Sequence, residues 1–319
     1  MGNKQNPDLE TIREAANRIG PYIHRTPVLT CRNLNDISGA DIYFKCENFQ
    51  KVGAFKFRGA TNAVFSLSEN ELTRGVATHS SGNHAQALAL AARNRGTKAY
   101  IVMPNNVPAV KTEAVKGYGG EIISCEPTLQ AREEMLDKVV KKTGALFIHP
   151  YNDTRIIAGQ ATSAMELFEQ IDDLDIIMVP VGGGGLLSGT SLATIYLSPN
   201  TVIIGAEPEG ADDACRSLKS GRIMPSVNPR TIADGLLTSL GTLTFPIIKE
   251  FVSDILTVSE ENIIRAMKLI WERAKIIIEP SGAVPFGAIL QHKYKFIGKK
   301  IGIIISGGNV DLNNLPWNK

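Results

Sequence analysis

Residues 175–197 read DIIMVPVGGGGLLSGTSLATIYL. The first seven are a short apolar, β-branched run of the kind that forms a buried strand. The run from Gly185 to Leu197 is read as a helix. At the junction stand Gly182, Gly183, Gly184 and Gly185. Four consecutive glycines carry a large entropic cost, so a merely tight turn is a poor use of them. They let the backbone close round an anion, with several N–H groups and a helix N-terminus aimed at one phosphate. The stretch is neither G-x-x-x-x-G-K-[ST] nor a clean G-x-G-x-x-G, so a monophosphate fits better than a triphosphate or a dinucleotide.

The same strand–turn–helix order extends outward in both directions. Strands are expected at IYFKCE (42–47), GVATHS (75–80), AYIVMP (99–104), EIISCE (121–126), TVIIGAE (201–207), ILTV (255–258) and KIGIIIS (300–306). Helices are expected over 57–69, 84–96, 107–119, 129–144, 185–197 and 260–275, with a shorter one after Pro280. This alternation predicts an α/β fold with parallel sheets wrapped on both faces and right-handed crossovers. The Pro/Gly/Asn-rich stretch 221–235 reads as an ordered loop. With 319 residues the chain suits one large domain or two smaller ones. The charges, 34 Lys+Arg against 32 Asp+Glu, give +2 and argue against a nucleic-acid binder. No apolar run approaches the ~20 residues of a membrane span. The first twenty residues lack the apolar centre of a secretory signal. Gly2 invites a check for myristoylation, which fails because position six is Asn6. Cys31, Cys46, Cys125 and Cys215 stand too far apart for a C-x-x-C, so a reducing, cytoplasmic setting is expected.

Four further constellations carry chemistry. Lys56 lies between Phe55 and Phe57 at a loop-to-helix junction. Desolvation there would favour the neutral amine that forms Schiff bases, but taken alone Lys56 reads first as a snorkelling surface lysine. Ser80-Ser81-Gly82-Asn83-His84 follows a strand and opens a helix, where open α/β sheets place ligands. It suits a carboxylate or phosphate, or else a plain helix cap. Ser306-Gly307-Gly308-Asn309 follows the last strand, and its serine could meet a heterocycle nitrogen. Glu207, Asp212 and Asp213 could collect a hard divalent cation or merely start a helix. The five histidines form no H-E-x-x-H, and no G-x-S-x-G elbow is present, so zinc and serine hydrolases are poorly supported.

In this order, GAFKFRGA, SSGNHAQ, GGGG and SGGN resemble the fold-type II pyridoxal-phosphate enzymes, closest to the serine racemases and related hydroxyamino-acid dehydratases. The resemblance runs from about Pro27 to Leu312. It implies two open parallel-sheet α/β domains, tryptophan synthase β-like, with the cofactor in the cleft between them. Residues 75–152 would be a small mobile substrate domain, and 1–74 with 153–319 the large cofactor domain. Lys56 would carry pyridoxal 5'-phosphate and act as base on one face of the substrate Cα, with Ser81 on the other. Phe55 would pack on the cofactor, Asn83 would bond its phenolic oxygen, Gly182 to Gly185 its phosphate, and Ser306 its ring nitrogen. Ser80, Ser81, Gly82, Asn83 and His84 would receive the substrate carboxylate, with Arg132 and Thr238 also on the substrate side. Glu207, Asp213 and the carbonyl of Ala211 would bind Mg²⁺ or Ca²⁺.

The resemblance also frames the activity. Bacterial threonine dehydratases usually carry SAGNH, whereas serine racemases carry SSGNH, as do some hydroxyaspartate dehydratases. A serine racemase with accompanying β-elimination of serine or threonine is therefore expected. A dehydratase of threonine, serine or threo-3-hydroxyaspartate is the alternative, and a non-catalytic phospholigand-binding protein a remote one. Tyr151 and Val52 stand where the mammalian racemases have asparagine and threonine near a nucleotide effector, which argues against ATP. A homodimer is expected, and with ten residues after Asn309 no carboxy-terminal regulatory domain is.

Overall fold

A computed structural model describes residues 6–318; Gly2 lies outside them. A six-stranded sheet is built from β1 (Val28–Leu29), β2 (Asp41–Cys46), β7 (Ile176–Pro180), β8 (Val202–Pro208), β9 (Asp254–Val258) and β10 (Lys300–Ile305). A four-stranded sheet is built from β3 (Val76–His79), β4 (Ala99–Pro104), β5 (Glu121–Cys125) and β6 (Leu146–Phe147). The strand orders are β1-β2-β10-β7-β8-β9 and β5-β4-β3-β6. Every pairing is parallel except β1 with β2. The α/β class with two parallel sheets expected from the alternation is thus what the chain forms.

The central strands are continuous apolar runs because helices cover both faces. In β10, Ile301, Ile303, Ile304 and Ile305 are all fully buried. The register of β10 with β7 pairs Ile303 with Met178, so the two chains leave the sheet side by side, one into Ser306 and the other into Gly182. On the other side of β10, β2 runs in register until Cys46 pairs with Ile305. The segment after β2 returns to the same edge, where Ala54 bridges Gly307. Three of the sequence constellations are therefore gathered at the carboxyl ends of neighbouring strands, the usual ligand position in such sheets.

Three differences from the sequence reading have local causes. The helix expected over 57–69 is two helices, Lys56–Phe65 and Glu69–Leu72. Ser68 and Glu71 form a reciprocal capping box that starts the second. The helix expected over 260–275 stays α-helical only for Glu260–Leu269, passes into a π turn at Ile270–Ala274 and stops where Lys275 turns left-handed. The 17-residue helix Thr154–Gln170 lies outside the alternation read from the sequence. It packs against the helices Lys56–Phe65 and Gly185–Leu197 through small residues. A Cβ on Gly159 would come 2.6 Å from Gly59 Cα, and one on Gly189 2.6 Å from the Ile157 carbonyl.

Beneath the Lys56–Phe65 helix lies a buried charge cluster. Arg58 donates to Glu47 at 2.7 and 2.8 Å and to Glu166 at 2.7 and 2.8 Å, and Lys45 donates to Glu166 at 2.7 Å. Two cations and two carboxylates balance, as burial requires. The cluster ties this helix to β2 and to the Thr154–Gln170 helix. The four cysteines are free. Among the described residues, no helix is long and apolar enough to cross a membrane.

Candidate active site

Lys56 is the first residue of its helix, and Phe55 is the cap. The Phe55 amide donates to the Ser306 carbonyl at 3.0 Å, so the lysine and the last glycine turn are joined through the main chain. Lys56 Nζ donates to the Pro150 carbonyl at 2.8 Å and stands 5.0 Å from the centre of the Phe55 ring. Burial lowers its pKa to about 8, against the opposing pull of Glu279. An amine in this setting has a sizeable neutral fraction near pH 8.

The Ser306 side chain is buried, and its Oγ has no hydrogen-bond partner. Such orphans are rare in folded proteins and invite a ligand. The glycine loop leads into the helix Gly185–Leu197, whose cap Gly184 has φ +86° and offers no side chain to its amides. Tyr151 lies on this loop, since a Cβ on Gly183 would meet its ring at 2.3 Å. The Thr244 hydroxyl donates to the Gly183 carbonyl at 2.8 Å and fixes the turn.

The Ser80–His84 turn follows β3, in the other sheet. The helix Asn83–Arg95 starts at Gly82 with no side-chain cap, so neither Ser80 nor Ser81 is an ordinary cap here. The Gly82 amide donates to Ser80 Oγ at 3.4 Å, and open space lies over Gly82. No hydrogen bond of Ser81's side chain is found among the described residues, and none joins it to Lys56. His84 Nε2 meets the Ile148 carbonyl at 3.3 Å, and burial depresses its pKa to about 3, which keeps it neutral. Asn83 reaches across to the larger sheet. Its Nδ2 donates to both oxygens of Glu279 at 3.0 and 3.1 Å, and its Oδ1 accepts from Asn309 at 2.8 Å. Asn309 also donates to the Val52 carbonyl at 2.7 Å.

Glu279 is a residue that sequence reasoning missed. Its carboxyl is buried against Gly307, and burial raises its pKa to about 7, opposed by the Asn83 bond. The one signal in the sequence is an acidic residue before Pro280 at a helix start, which reads as routine capping; in the structure it caps nothing. Arg132 is not brought into this group. Among the described residues its side chain bonds the carbonyl of Thr128, the cap of its own helix, at 3.4 Å. Thr238 is exposed, and burial raises the pKa of the Tyr151 phenol. Lys111, from the helix after β4, bonds Asp234 at 2.8 Å.

The acidic group sits apart, at the end of β8. Glu207 and Asp213 are buried; Glu207 accepts from the amides of Ala214 at 3.1 Å and Cys215 at 2.6 Å, while Asp213 Oδ2 has no partner. Burial pushes Glu207 up to about 8 and Asp213 to about 6. Asp212 instead pairs with Arg216 at 2.8 Å. Among the described residues no cluster of three or more His, Cys, Asp or Glu side chains forms a metal site.

Residues 19–307 match the family model described as pyridoxal-phosphate dependent enzyme. The chain belongs to this family. A β-hydroxyaspartate dehydratase of Paracoccus denitrificans is 53% identical over 312 residues, covering 98% of this chain and 99% of that one. A serine racemase of Dictyostelium discoideum is 53% identical over 311 residues, 96% of each chain. The structure of maize serine racemase superposes with a TM-score of 0.95 at 47% identity, covering 98% of this chain and 97% of that one. The pyridoxal-phosphate enzymes use the cofactor's ring as an electron sink. The orphaned Ser306 hydroxyl, the uncapped glycine loop and the desolvated Lys56 fit that group: a hydroxyl for the ring nitrogen, free amides for the phosphate and an amine for the aldehyde.

Proposed function

We propose that the protein interconverts L- and D-serine and, in the same site, eliminates the β-hydroxyl of serine or threonine to give a 2-oxo acid and ammonia. Supporting this is the way Lys56 and the Ser81–Asn83 turn come from different sheets and are tied together through Asn83, Glu279 and the Ser306 loop. Racemisation needs a proton removed from one face of Cα and returned to the other, which one rigid base does poorly. Lys56 takes the α-proton on its face, and the Ser81 hydroxyl supplies one from the opposite face. Pyridoxal phosphate, when bound, withdraws electrons from Cα. Ser306 meets its ring nitrogen with a neutral hydroxyl, which does not hold a proton there as a carboxylate would. Phe55 packs on the ring, Asn83 holds the phenolic oxygen and Gly182 to Gly185 hold the phosphate. The amides and side chains of Ser80, Ser81, Gly82, Asn83 and His84 receive the substrate carboxylate, with Arg132 closing from its mobile helix.

Residues 75–152 act in this reading as the mobile small domain, and closure excludes water from the reacting Cα. Two copies pair as a homodimer, without ATP as effector. Glu207, Asp213 and the Ala211 carbonyl hold Mg²⁺ or Ca²⁺; a buried carboxylate with a free oxygen beside another carboxylate fits a cation. The second reading is a dehydratase only, favoured by the equal, 53% identity to the β-hydroxyaspartate dehydratase. The deciding experiment gives the cofactor-loaded protein L-serine and measures D-serine and pyruvate together. D-serine that vanishes in Ser81→Ala, with cofactor still bound, is expected. Pyruvate without D-serine leaves the dehydratase. A Lys56→Ala protein with full turnover overturns both.

A further inference from the structure

The chain has two tryptophans, Trp271 and Trp317, and the fold brings them together. Their rings meet edge to face, with centres 5.2 Å apart and planes at 84°. Such a pair is directional, so each ring fixes the orientation of the other. Trp271 stands on the π turn Ile270–Ala274, an irregularity that helices concentrate at functional sites. Its indole N–H donates to the Ile278 carbonyl at 3.0 Å. Trp317 comes from the short turn Pro316–Asn318 and packs, with Val310, against the core cluster that holds Ile276 and Ile278.

The carbonyl that Trp271 holds belongs to the residue before Glu279. Residues 276–279 lie in neither helix nor strand, so their placement depends on individual bonds. Asn48 Nδ2 donates to the Ile277 carbonyl at 3.1 Å, and the Glu279 amide donates to the Gly307 carbonyl at 3.0 Å. Between these two anchors stands the indole bond. Glu279 then presents its buried carboxyl to Asn83 Nδ2. We infer that Trp317 is a positioning residue for the active site: by holding Trp271 against the Ile278 carbonyl it fixes Glu279 on Asn83. The same clamp serves a racemase and a dehydratase alike. Without the Trp317 ring the indole is free to turn, the 276–279 segment loosens and the Asn83 bonds lengthen. Those bonds favour the ionised carboxyl, so their loss raises the pH at which Glu279 gives up its proton. The charged groups round Glu279 are Lys56, Asp234 and Lys111. Asp234 opposes its ionisation and Lys111 favours it, and all three keep their places when a tryptophan is changed.

The test is Trp317→Ala on holoenzyme. Beside it stand Trp317→Phe, which keeps an aromatic edge, and Trp271→Phe, which keeps a ring and loses the N–H. For each, kcat/KM for L-serine and the absorption of the bound cofactor are followed across the neutral pH range. Melting temperature and near-ultraviolet circular dichroism, which reports the tryptophan pair, are recorded as well. Expected is that Trp317→Ala and Trp271→Phe move the limb near pH 7 upward by about one unit, while Trp317→Phe leaves it in place. In a Glu279→Gln background neither change alters the profile further. A limb that stays in place in Trp317→Ala, with or without a lower melting temperature, overturns the inference. So does an equal change in the Glu279→Gln background, or a parent protein with no transition near pH 7 in either readout. If Trp317→Ala fails to fold, Trp271→Phe decides by the same outcomes. Failure of the functional proposal looks different: the unaltered protein then makes neither D-serine nor pyruvate, and the shift is read from the cofactor's absorption alone.

Discussion

Lys56 and Glu279 are the two titrating groups that define the site's behaviour near neutral pH. The lysine's pKa is lowered to about 8 by burial, so its amine becomes a nucleophile well below the range of an exposed lysine. Capture of pyridoxal phosphate by the cofactor-free protein, trapped with borohydride, should therefore accelerate as pH rises through about 8. An acceleration only above pH 10 would show that the amine is solvated. Glu279 ionises at about 7 because burial penalises its charge, and both of its oxygens are met by Asn83. Removing that ionisation in Glu279→Gln should erase a limb near pH 7 from the kcat/KM profile while the cofactor still loads. A profile unchanged from the parent's would assign Glu279 to packing alone. Lys56 was legible in the sequence because GAFKFRGA stands in order with SSGNHAQ, GGGG and SGGN. Glu279 was not, because an acid before a helix-starting proline is commonplace and only the folded chain shows it buried beside Gly307.

At the scale of elements, the supports of the site are small residues and buried charges. The helix Thr154–Gln170 touches the Lys56–Phe65 helix so closely that Gly159 has no room for a side chain. Gly159→Val should destabilise the protein by roughly 3 kcal/mol, the upper end of overpacking, measured by urea unfolding. Arg58→Met leaves Glu47 and Glu166 without their shared cation and should cost roughly 3–5 kcal/mol. A loss under about 1 kcal/mol would mean that water or Lys45 compensates. This helix was hard to read from sequence for a physical reason. Every residue from Ile156 to Ala164 is buried, so its middle turns show no exposed side in register with the helix. The amphipathic helix Leu129–Thr143 and the glycine-closed Asn83–Arg95 matched their expected spans because capping and C-terminal glycines announce them.

For the whole molecule, the acidic pair at β8 links stability to pH and, in the proposed reading, to a bound cation. Glu207 and Asp213 are raised from 4.5 and 3.8 to about 8 and about 6. The folded state then holds more protons than the unfolded one between those values, so without a cation stability falls as pH climbs from about 4 to about 8. Mg²⁺ or Ca²⁺ at the pair should remove that loss. The gain in melting temperature on adding either ion to chelator-treated protein should be larger at pH 8 than at pH 5; an equal or absent gain would leave the pair as a helix start. The Lys111–Asp234 bridge joins the helix Ala109–Gly117 to the loop seated on Gly182. Both partners are partly exposed, so its contribution to holding the two parts together is small and salt-sensitive.

The sequence by itself determined the α/β alternation, the phosphate-type glycine loop and the order of lysine, serine and glycine turns. Each of these is a local property: strand and helix periods, the conformational freedom of glycine and the chemistry of side chains at strand ends. What joins them is not local. The register of β10 with β7 and the Ala54–Gly307 bridge bring Ser306, Gly182 and Lys56 to one edge. Desolvation by that packing makes Lys56 a weak base and Glu279 a weak acid. The tertiary structure alone set Tyr151 on the glycine loop, because contacts between distant segments follow from packing and leave no period or motif in the chain.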